Sequence, residues 1–288
     1  MSDFPLPVRV IGPGSQVEEE ELQFLPMPHE MNTFRMPVVP DSADTIALRA
    51  SRDLLAAFFA EMERWDPAAN PVGPRFDLAG MPAATLTITN QMLGEGEVSI
   101  VIEGVPSFRI QESVFTGVWR ICAFDARGEA IGDWLEAGAL PRVAVDAARQ
   151  GSMPAIAAPP TPTGAMNSPA LLAEIDAQMR ERPASGAAHV INLTLFPMTP
   201  EDHQMLDSAL SVGPVAIISH GFGNCRITST GARDVWRVQY FNSMNTLILN
   251  TIEVVAVPEV ALAAVEDVED SRARLSELVD WMSESCAE

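Results

Sequence analysis

Cys225 and His220 are the two side chains whose types and spacing most directly suggest chemistry. A histidine five residues before a cysteine could take up the thiol proton across a turn and so create a nucleophilic pair. Two other interpretations of Cys225 stay open. The thiol could contact a metal fragment or a partner protein, or it could fill space in a core as a small apolar group.

A second set of polar residues surrounds this cysteine and extends to the next predicted hairpin. Amides and a phenol can hydrogen-bond a protein backbone or a neutral ligand without adding charge. The alternative is that Asn242 and Asn245 only supply turn geometry. The predicted partner-binding residues are Asn224, Cys225, Arg226, Tyr240, Asn242 and Asn245.

Motifs for catalysis or for a bound cofactor are lacking in the sequence. The four histidines stand at no zinc-ligand spacing from one another or from a cysteine, and no HExxH or P-loop occurs. Two glycines at Gly221 and Gly223 are more typical of a tight turn than of a phosphate loop. The sequence therefore predicts no catalytic residue, no metal site, no resident cofactor and no enzymatic activity.

The elements that must position these residues occur twice. A constant shift of 117 residues places 92–144 on 209–261, and 17 of the 53 aligned pairs are identical. The shared positions include Val118-Trp-Arg120 and Val235-Trp-Arg237. Positions that both copies share are required by the fold, whereas polar residues found only in the second copy are candidates for function.

Hydrophobic spacing within each copy predicts helices around an antiparallel sheet. The repeat predicts a helix over 82–93, although Leu86-Thr-Ile-Thr89 favours a strand by propensity. Short alternating runs predict strands, and apolar spacing predicts one closing helix over 140–148 and another over 257–281. The predicted fold class is α+β, with two homologous tandem modules, each an antiparallel sheet with flanking helices, preceded by an extended N-terminal arm.

Composition sets the predicted boundaries. We expect an extended arm rich in proline and methionine over 1–43 and a first module over 44–150. A linker rich in proline and alanine over 151–167 then leads to a second module over 168–288. The methionines and aromatic residues of the arm suit docking on a groove, and the alternative is that the arm packs across its own domain.

Charge and cysteine usage restrict the possible partners and the compartment. The net charge is −21, and this acidity disfavours binding to nucleic acid or to an anionic membrane. Three cysteines without CxxC spacing favour free thiols in a reducing cytoplasm. We find neither a signal peptide nor an apolar stretch long enough for a spanning helix, so the sequence predicts a cytoplasmic protein.

Long blocks of the sequence resemble the HupH/HyaF family of [NiFe]-hydrogenase expression and formation proteins, also called HoxV-type. The resemblance covers nearly the whole chain. In the first half it rests on the motifs Gly12-Pro-Gly-Ser-Gln16, Leu25-Pro-Met-Pro28, Gly94-Glu-Gly-Glu-Val-Ser-Ile100 and Glu112-Ser-Val-Phe-Thr-Gly-Val-Trp-Arg120. In the second half it rests on His189-Val-Ile-Asn-Leu-Thr-Leu-Phe-Pro197, Gly223-Asn-Cys-Arg-Ile-Thr228, Gln239-Tyr-Phe-Asn-Ser-Met244 and Leu247-Ile-Leu-Asn-Thr251.

This resemblance implies a scaffold or chaperone that accompanies the large subunit of an uptake [NiFe] hydrogenase while its metal centre is assembled, particularly in oxygen. The implied partners are the immature large subunit and other maturation proteins. A transient contact with the iron fragment that carries cyanide and carbonyl ligands stays open. The alternative from the residues alone is a thiol-dependent enzyme that uses Cys225 with His220.

Overall fold

The computed structural model describes residues 45–70, 72–157, 159–181, 187–221 and 223–285. The predicted arm over 1–43 lies outside these residues, as does Cys286. Within them, the predicted α+β class and the two homologous modules are confirmed.

The first module has the order α-β-α-β-β-β-β-α. This order agrees with the sequence, but no residue range was assigned to strand β5, although a shift of 117 from the predicted strand over 246–254 would have indicated it. The elements are α1 Thr45–Arg64, β1 Val72–Asp77, α2 Ala83–Leu93, β2 Val98–Ile102, β3 Ser107–Glu112, β4 Val118–Phe124, β5 Ala130–Gly138 and α3 Arg142–Arg149.

The second module repeats this order with three differences, the third being the long closing helix Val265–Ser285. A 3-10 turn, Leu193–Leu195, follows its first strand, and another, Glu259–Ala261, stands where the first module has α3. The other elements are α4 Ser168–Glu181, β6 His189–Asn192, α5 Pro200–Leu210, β7 Val212–Ser219, β8 Asn224–Thr230, β9 Val235–Phe241, β10 Leu247–Val254 and α6 Val265–Ser285.

The prediction of one continuous helix over 257–281 was wrong. Leu262 adopts an extended backbone, and the amide of Ala263 donates to the carbonyl oxygen of Ala139 at 2.8 Å. This contact with the other module replaces the hydrogen bond that a continuing helix would have made. The long helix α6 therefore begins only at Val265.

Helix α2 shows how packing overrides a weak propensity. Its threonine-rich sequence favours a strand, but helical spacing places Ile88, Met92 and Leu93 together in the core. Its counterpart α5 has a stronger start signal. Thr199 and Asp202 form a reciprocal capping box there, with Pro200 in the first turn.

All ten strands form one antiparallel sheet, in the order β1-β5-β4-β3-β2-β7-β8-β9-β10-β6. The two modules join where β2 pairs with β7, and Ile100 lies opposite Ile217 there. These two residues are equivalent in the repeat, and the flanking pairs Val98–Ser219 and Ile102–Val215 exchange under the same shift. The modules are therefore related by a pseudo-twofold axis through this central pair.

Segments beyond the last strand of each module pack on the other module. Helix α6 shares a core with α1, where Leu275 and Met282 meet Leu55 and Phe58. In return, the backbone of Met153 exchanges hydrogen bonds of 2.7 and 2.8 Å with the turn that connects β8 to β9. Each module therefore supplies part of the surface that buries the other.

No helix among the described residues is both long enough and apolar enough to cross a lipid bilayer.

Candidate functional site

Cys225 lies inside the sheet and not in an open cleft. Strand β8 pairs it with Ser219 of β7 and with Tyr240 of β9, and only 3% of its surface is exposed. Burial raises the pKa of the thiol to about 11, and a hydrogen bond with Tyr240 lowers it only in part. Burial likewise raises the pKa of Tyr240 to about 12. The thiol is therefore protonated at neutral pH.

His220 is engaged with a different neighbour. Its Nδ1 lies 3.0 Å from the Oδ1 atom of Asn224, and its backbone amide donates to the carbonyl oxygen of Glu97. Its Nε2 is buried and has no hydrogen-bond partner within the described part of the chain. The imidazole therefore orients an amide, while the thiol of Cys225 pairs with a phenol.

The amides of Asn224 and Asn245 connect two neighbouring turns. Asn224 Nδ2 donates to Asn245 Oδ1 at 3.3 Å, so a chain of polar contacts runs from His220 through Asn224 to the hairpin that joins β9 and β10. Asn245 is exposed, and beside it Met244 projects from the tip of this hairpin. The structure thus brings Asn224 and Asn245 together at the surface.

The six predicted partner-binding residues do not share one face of the sheet. Successive residues of a strand point to opposite faces, so the half-buried Asn224 and Arg226 lie on the face opposite Cys225. Tyr240 lies opposite Cys225 in the ladder and shares its face. A single partner surface could therefore include Asn224, Arg226 and Asn245, but not the buried thiol.

Asn242 performs the same structural task as its counterpart in the first module. Its side-chain oxygen accepts from the amides of Met244 and Thr246, both at 2.9 Å. Asp125 accepts from the two equivalent amides at 2.8 and 2.9 Å. The left-handed backbone of Asn245, with φ of 57°, likewise matches that of Gly128. These contacts belong to the shared turn.

Sequence reasoning missed an arginine fork that occurs in both modules. Arg120 contacts the amide of Asn90 and the carboxylate of Asp133. The equivalent Arg237 contacts Asp207 at 2.9 Å and Asn250 at 3.3 Å. The carboxylate and the amide have exchanged places between the copies, which keeps each guanidinium neutralised by one acidic group.

Sequence reasoning also missed exposed apolar residues of the β9–β10 hairpin and of the 3-10 turn beside β10. These residues stand in stretches of the second module that carry no charge, and that pattern could have indicated them. They are Leu195, Phe196, Met244, Leu247 and Ile248.

Nothing within the described residues groups three or more histidine, cysteine, aspartate or glutamate side chains as a metal ion would require. The predictions about metal and cofactor stay predictions. The exposed amide of Asn245 and the exposed apolar side chains can form hydrogen bonds and apolar contacts with a partner.

The family model for the C-terminal conserved region of the HupH hydrogenase expression protein matches the chain twice, at residues 48–155 and 165–282. The two matches correspond to the two modules.

Curated relatives match almost the full length. The hydrogenase expression/formation protein HoxQ of Cupriavidus necator is 43% identical over 283 residues, which cover 98% of this chain and 99% of the relative. HupH of Rhodobacter capsulatus is 42% identical over 97% of this chain and 98% of its own length. The hydrogenase-1 operon protein HyaF of Escherichia coli is 32% identical over 96% of each chain.

A solved structure, the hydrogenase expression protein HupH from Thiobacillus denitrificans, is 31% identical and covers 38% of this chain and 92% of its own, with a TM-score of 0.36. The double match to the family model and the full-length relatives assign the family. The chain belongs to the HupH family of hydrogenase expression/formation proteins.

Proposed function

We propose that this protein takes part in the formation of a [NiFe] hydrogenase, as a non-catalytic scaffold that holds the immature large subunit while its metal centre is assembled. The observation that carries the proposal is the 43% identity over 98% of the chain with a protein named for hydrogenase expression and formation. A match of this extent includes both modules and the hairpins between their strands.

The state of Cys225 supports a role without catalysis. A nucleophilic thiol needs a depressed pKa and access to a substrate, whereas this thiol is buried and its pKa is raised to about 11. The alternative, a thiol-dependent enzyme with His220 as base, has less support because the imidazole hydrogen-bonds Asn224.

The proposed binding surface starts from Asn224 and Asn245. These linked amides lie at the turn end of the second module, where the equivalent positions of the first module are Ser107 and Gly128. A neutral polar surface suits recognition of a partly folded chain, because amides can pair with exposed backbone groups without a charge to desolvate. The protein would work in the cytoplasm, before the subunit leaves it, and its contribution would be largest under oxygen.

Co-purification tests this proposal. The full chain, carrying an affinity tag, is recovered from cells that express the hydrogenase with and without oxygen, and both subunit precursors are quantified. We expect recovery of the large-subunit precursor, reduced in the double variant Asn224→Ala/Asn245→Ala and unchanged in Ser107→Ala. Recovery of no precursor, or of the small subunit alone, would contradict the proposal.

Contact with the iron fragment needs a separate measurement. If the scaffold touches the fragment during transfer, the purified complex should show infrared bands of bound cyanide and carbonyl. Bands that remain on the free protein and vanish in Cys225→Ser would instead indicate that this protein carries the fragment itself.

A further inference from the structure

Two stretches of the second module, 190–200 and 238–252, contain no charged residue. Their counterparts in the first module, 73–83 and 121–135, contain six. The second copy thus has Asn192, Thr194, Asn242, Met244, Thr246 and Asn250 where the first has Arg75, Asp77, Asp125, Arg127, Glu129 and Asp133. In a chain in which 20% of residues are charged, two uncharged stretches of 11 and 15 residues stand out.

The fold places the two uncharged stretches side by side. Strand β6 pairs with β10 through Ile191 and Ile252, and the amide of Asn250 then donates to Thr194 Oγ1 at 2.9 Å. The 3-10 turn that contains Leu195 therefore lies against the first half of β10. A strand rises by about 3.3 Å per residue, so Ile248 is only about 7 Å along the strand from that contact.

Large apolar side chains are exposed along this neutral border. We use the name apolar edge for Leu195, Phe196, Met244, Leu247 and Ile248. Their exposed fractions are 78%, 40%, 80%, 36% and 56%.

Leu195 is an apolar residue whose exposure is specific to the second module. Its counterpart Leu78 is 1% exposed, because the first module continues β1 as far as Asp77 and Leu78 then bonds to Asp133 beneath α1. In the second module the chain leaves the sheet after Asn192 and enters the 3-10 turn, which turns the same residue type outward.

We propose that the apolar edge is the docking site for an uncharged, apolar segment of the immature hydrogenase subunit. This inference rests on the proposed scaffold function and names the surface that performs it. Apolar side chains exposed together at one border of a sheet mark an interaction surface. The adjacent amides of Asn224 and Asn245 would then supply the polar rim around it.

The net charge of the chain favours a hydrogenase segment over a second copy of the chain as the occupant of the apolar edge. Two copies would each bring a net charge of −21, and their mutual repulsion opposes close approach. A neutral segment with neutral or basic flanks meets no such repulsion. The loss of Arg127 and Glu129 from the hairpin also removes exposed charged groups that would have to be desolvated on binding.

Equivalent isoleucines at the two ends of the sheet supply a matched pair of variants. Ile248 lies in the apolar edge, and Ile131, which is 59% exposed, occupies the same position in the first module. The affinity of each full-length variant for the purified large-subunit precursor is measured by titration. We expect Ile248→Asp to bind at least about 10-fold more weakly and Ile131→Asp to bind like the wild type. Thermal unfolding verifies that both variants fold.

Photo-crosslinking provides an independent readout that does not depend on affinity. A benzophenone side chain at position 244 should crosslink to one uncharged apolar segment of the precursor, whereas the same group at position 127 should not. Peptide mapping of the crosslinked product identifies the segment.

The outcomes separate the inference from the function on which it rests. A wild-type chain that fails to bind the precursor overturns the scaffold function. A wild-type chain that binds, with Ile248→Asp binding equally well, overturns only the apolar edge. Crosslinks from position 244 to residues 1–43, or a dimer in sedimentation that Ile248→Asp abolishes, would assign the edge to the chain itself and would also overturn the inference.

Discussion

The hairpins β4–β5 and β9–β10 share the backbone conformation of their turns, but they differ in the charge of the side chains around those turns. Asp125 and Asn242 close the two turns with the same pair of hydrogen bonds, and Gly128 and Asn245 take the same left-handed backbone. Around this common turn the first hairpin carries charges, and the second carries amides, methionine and leucine. A fixed turn therefore leaves the neighbouring surface free to acquire a separate function.

The cores of the two modules, in contrast, contain some of the same side chains at equivalent positions. Trp119 and Trp236 are both 1% exposed, and each indole donates to a backbone carbonyl at or just beyond the end of the last strand of its module. Substitutions at shared interior positions should therefore have larger effects than substitutions at the turns.

Replacing either central tryptophan should be severely destabilising, and to a similar extent in both modules. Trp119→Ala and Trp236→Ala should each lower the free energy of unfolding by about 3–5 kcal/mol, because a large cavity opens in a shared core. Urea unfolding followed by circular dichroism measures the loss. Trp→Phe at each position serves as the milder control. A loss below 1 kcal/mol in one module alone would show that the modules are not equivalent inside.

Glu112 should make stability depend on pH through a carboxyl that the second module lacks at the equivalent position, where Ser229 stands. Burial raises the pKa of this carboxyl to about 7, a bond from the amide of Gly117 lowers it, and Glu97 and Asp267 raise it. The folded state retains a proton that the unfolded state releases above pH 4.5. Stability should therefore fall as pH rises from about 4.5 to about 7 and then level off.

The variant Glu112→Gln stays neutral and should lose this dependence. At pH 8 it should exceed the wild type by about 3 kcal/mol, since one pKa unit corresponds to about 1.4 kcal/mol. Urea unfolding at several pH values measures the difference, with the exposed Glu103→Gln as the control. A variant with the same pH profile as the wild type would contradict this account of the carboxyl.

Cys225, which takes the place of Phe108, should be slow to alkylate. In a chain with Cys122→Ser and Cys286→Ser, the remaining thiol should react about 100-fold more slowly at pH 8 than an unperturbed thiol, because its pKa is about 11. Iodoacetamide labelling followed by mass spectrometry measures the rate. An inflection in the alkylation rate between pH 6 and 8 would contradict this prediction and would support the alternative of a thiol-dependent enzyme.

Exchanging the two turn residues should have the smallest effect. Asn242→Asp and Asp125→Asn each preserve an oxygen that accepts the same two amides, so each change should alter stability by less than about 0.5 kcal/mol. Thermal melts of both variants measure it. A substantially larger loss in Asn242→Asp would mean that the second turn does not tolerate a charge.

The repeat made much of the fold predictable from the sequence. It indicated the helix α2 against its strand propensity, and it would have indicated β5 as well. The break before α6 could not be predicted, because it depends on a hydrogen bond from Ala263 to Ala139 in the other module. Such a contact exists only once both modules are in place.

The candidate site was less predictable than the fold. Cys225 and Tyr240 were identified by residue type, and only the pairing of β8 with β9 shows that they bond to each other inside the core. Leu195 and Leu78 are the same residue type at equivalent positions, yet one is exposed and the other is buried. The difference in exposure arises because β1 and β6 end at different positions. The type of the leucine residue does not encode where the strand ends.

The pairing of Ile100 with Ile217 has a consequence for the history of this fold. A single module would end in an unpaired strand edge at that point, and an identical module would be its natural partner. Duplication and fusion of such a module would turn assembly that depends on concentration into an intramolecular step with a high effective concentration. Once joined, the two halves no longer needed identical surfaces, and one hairpin could change without disturbing the contact that unites them.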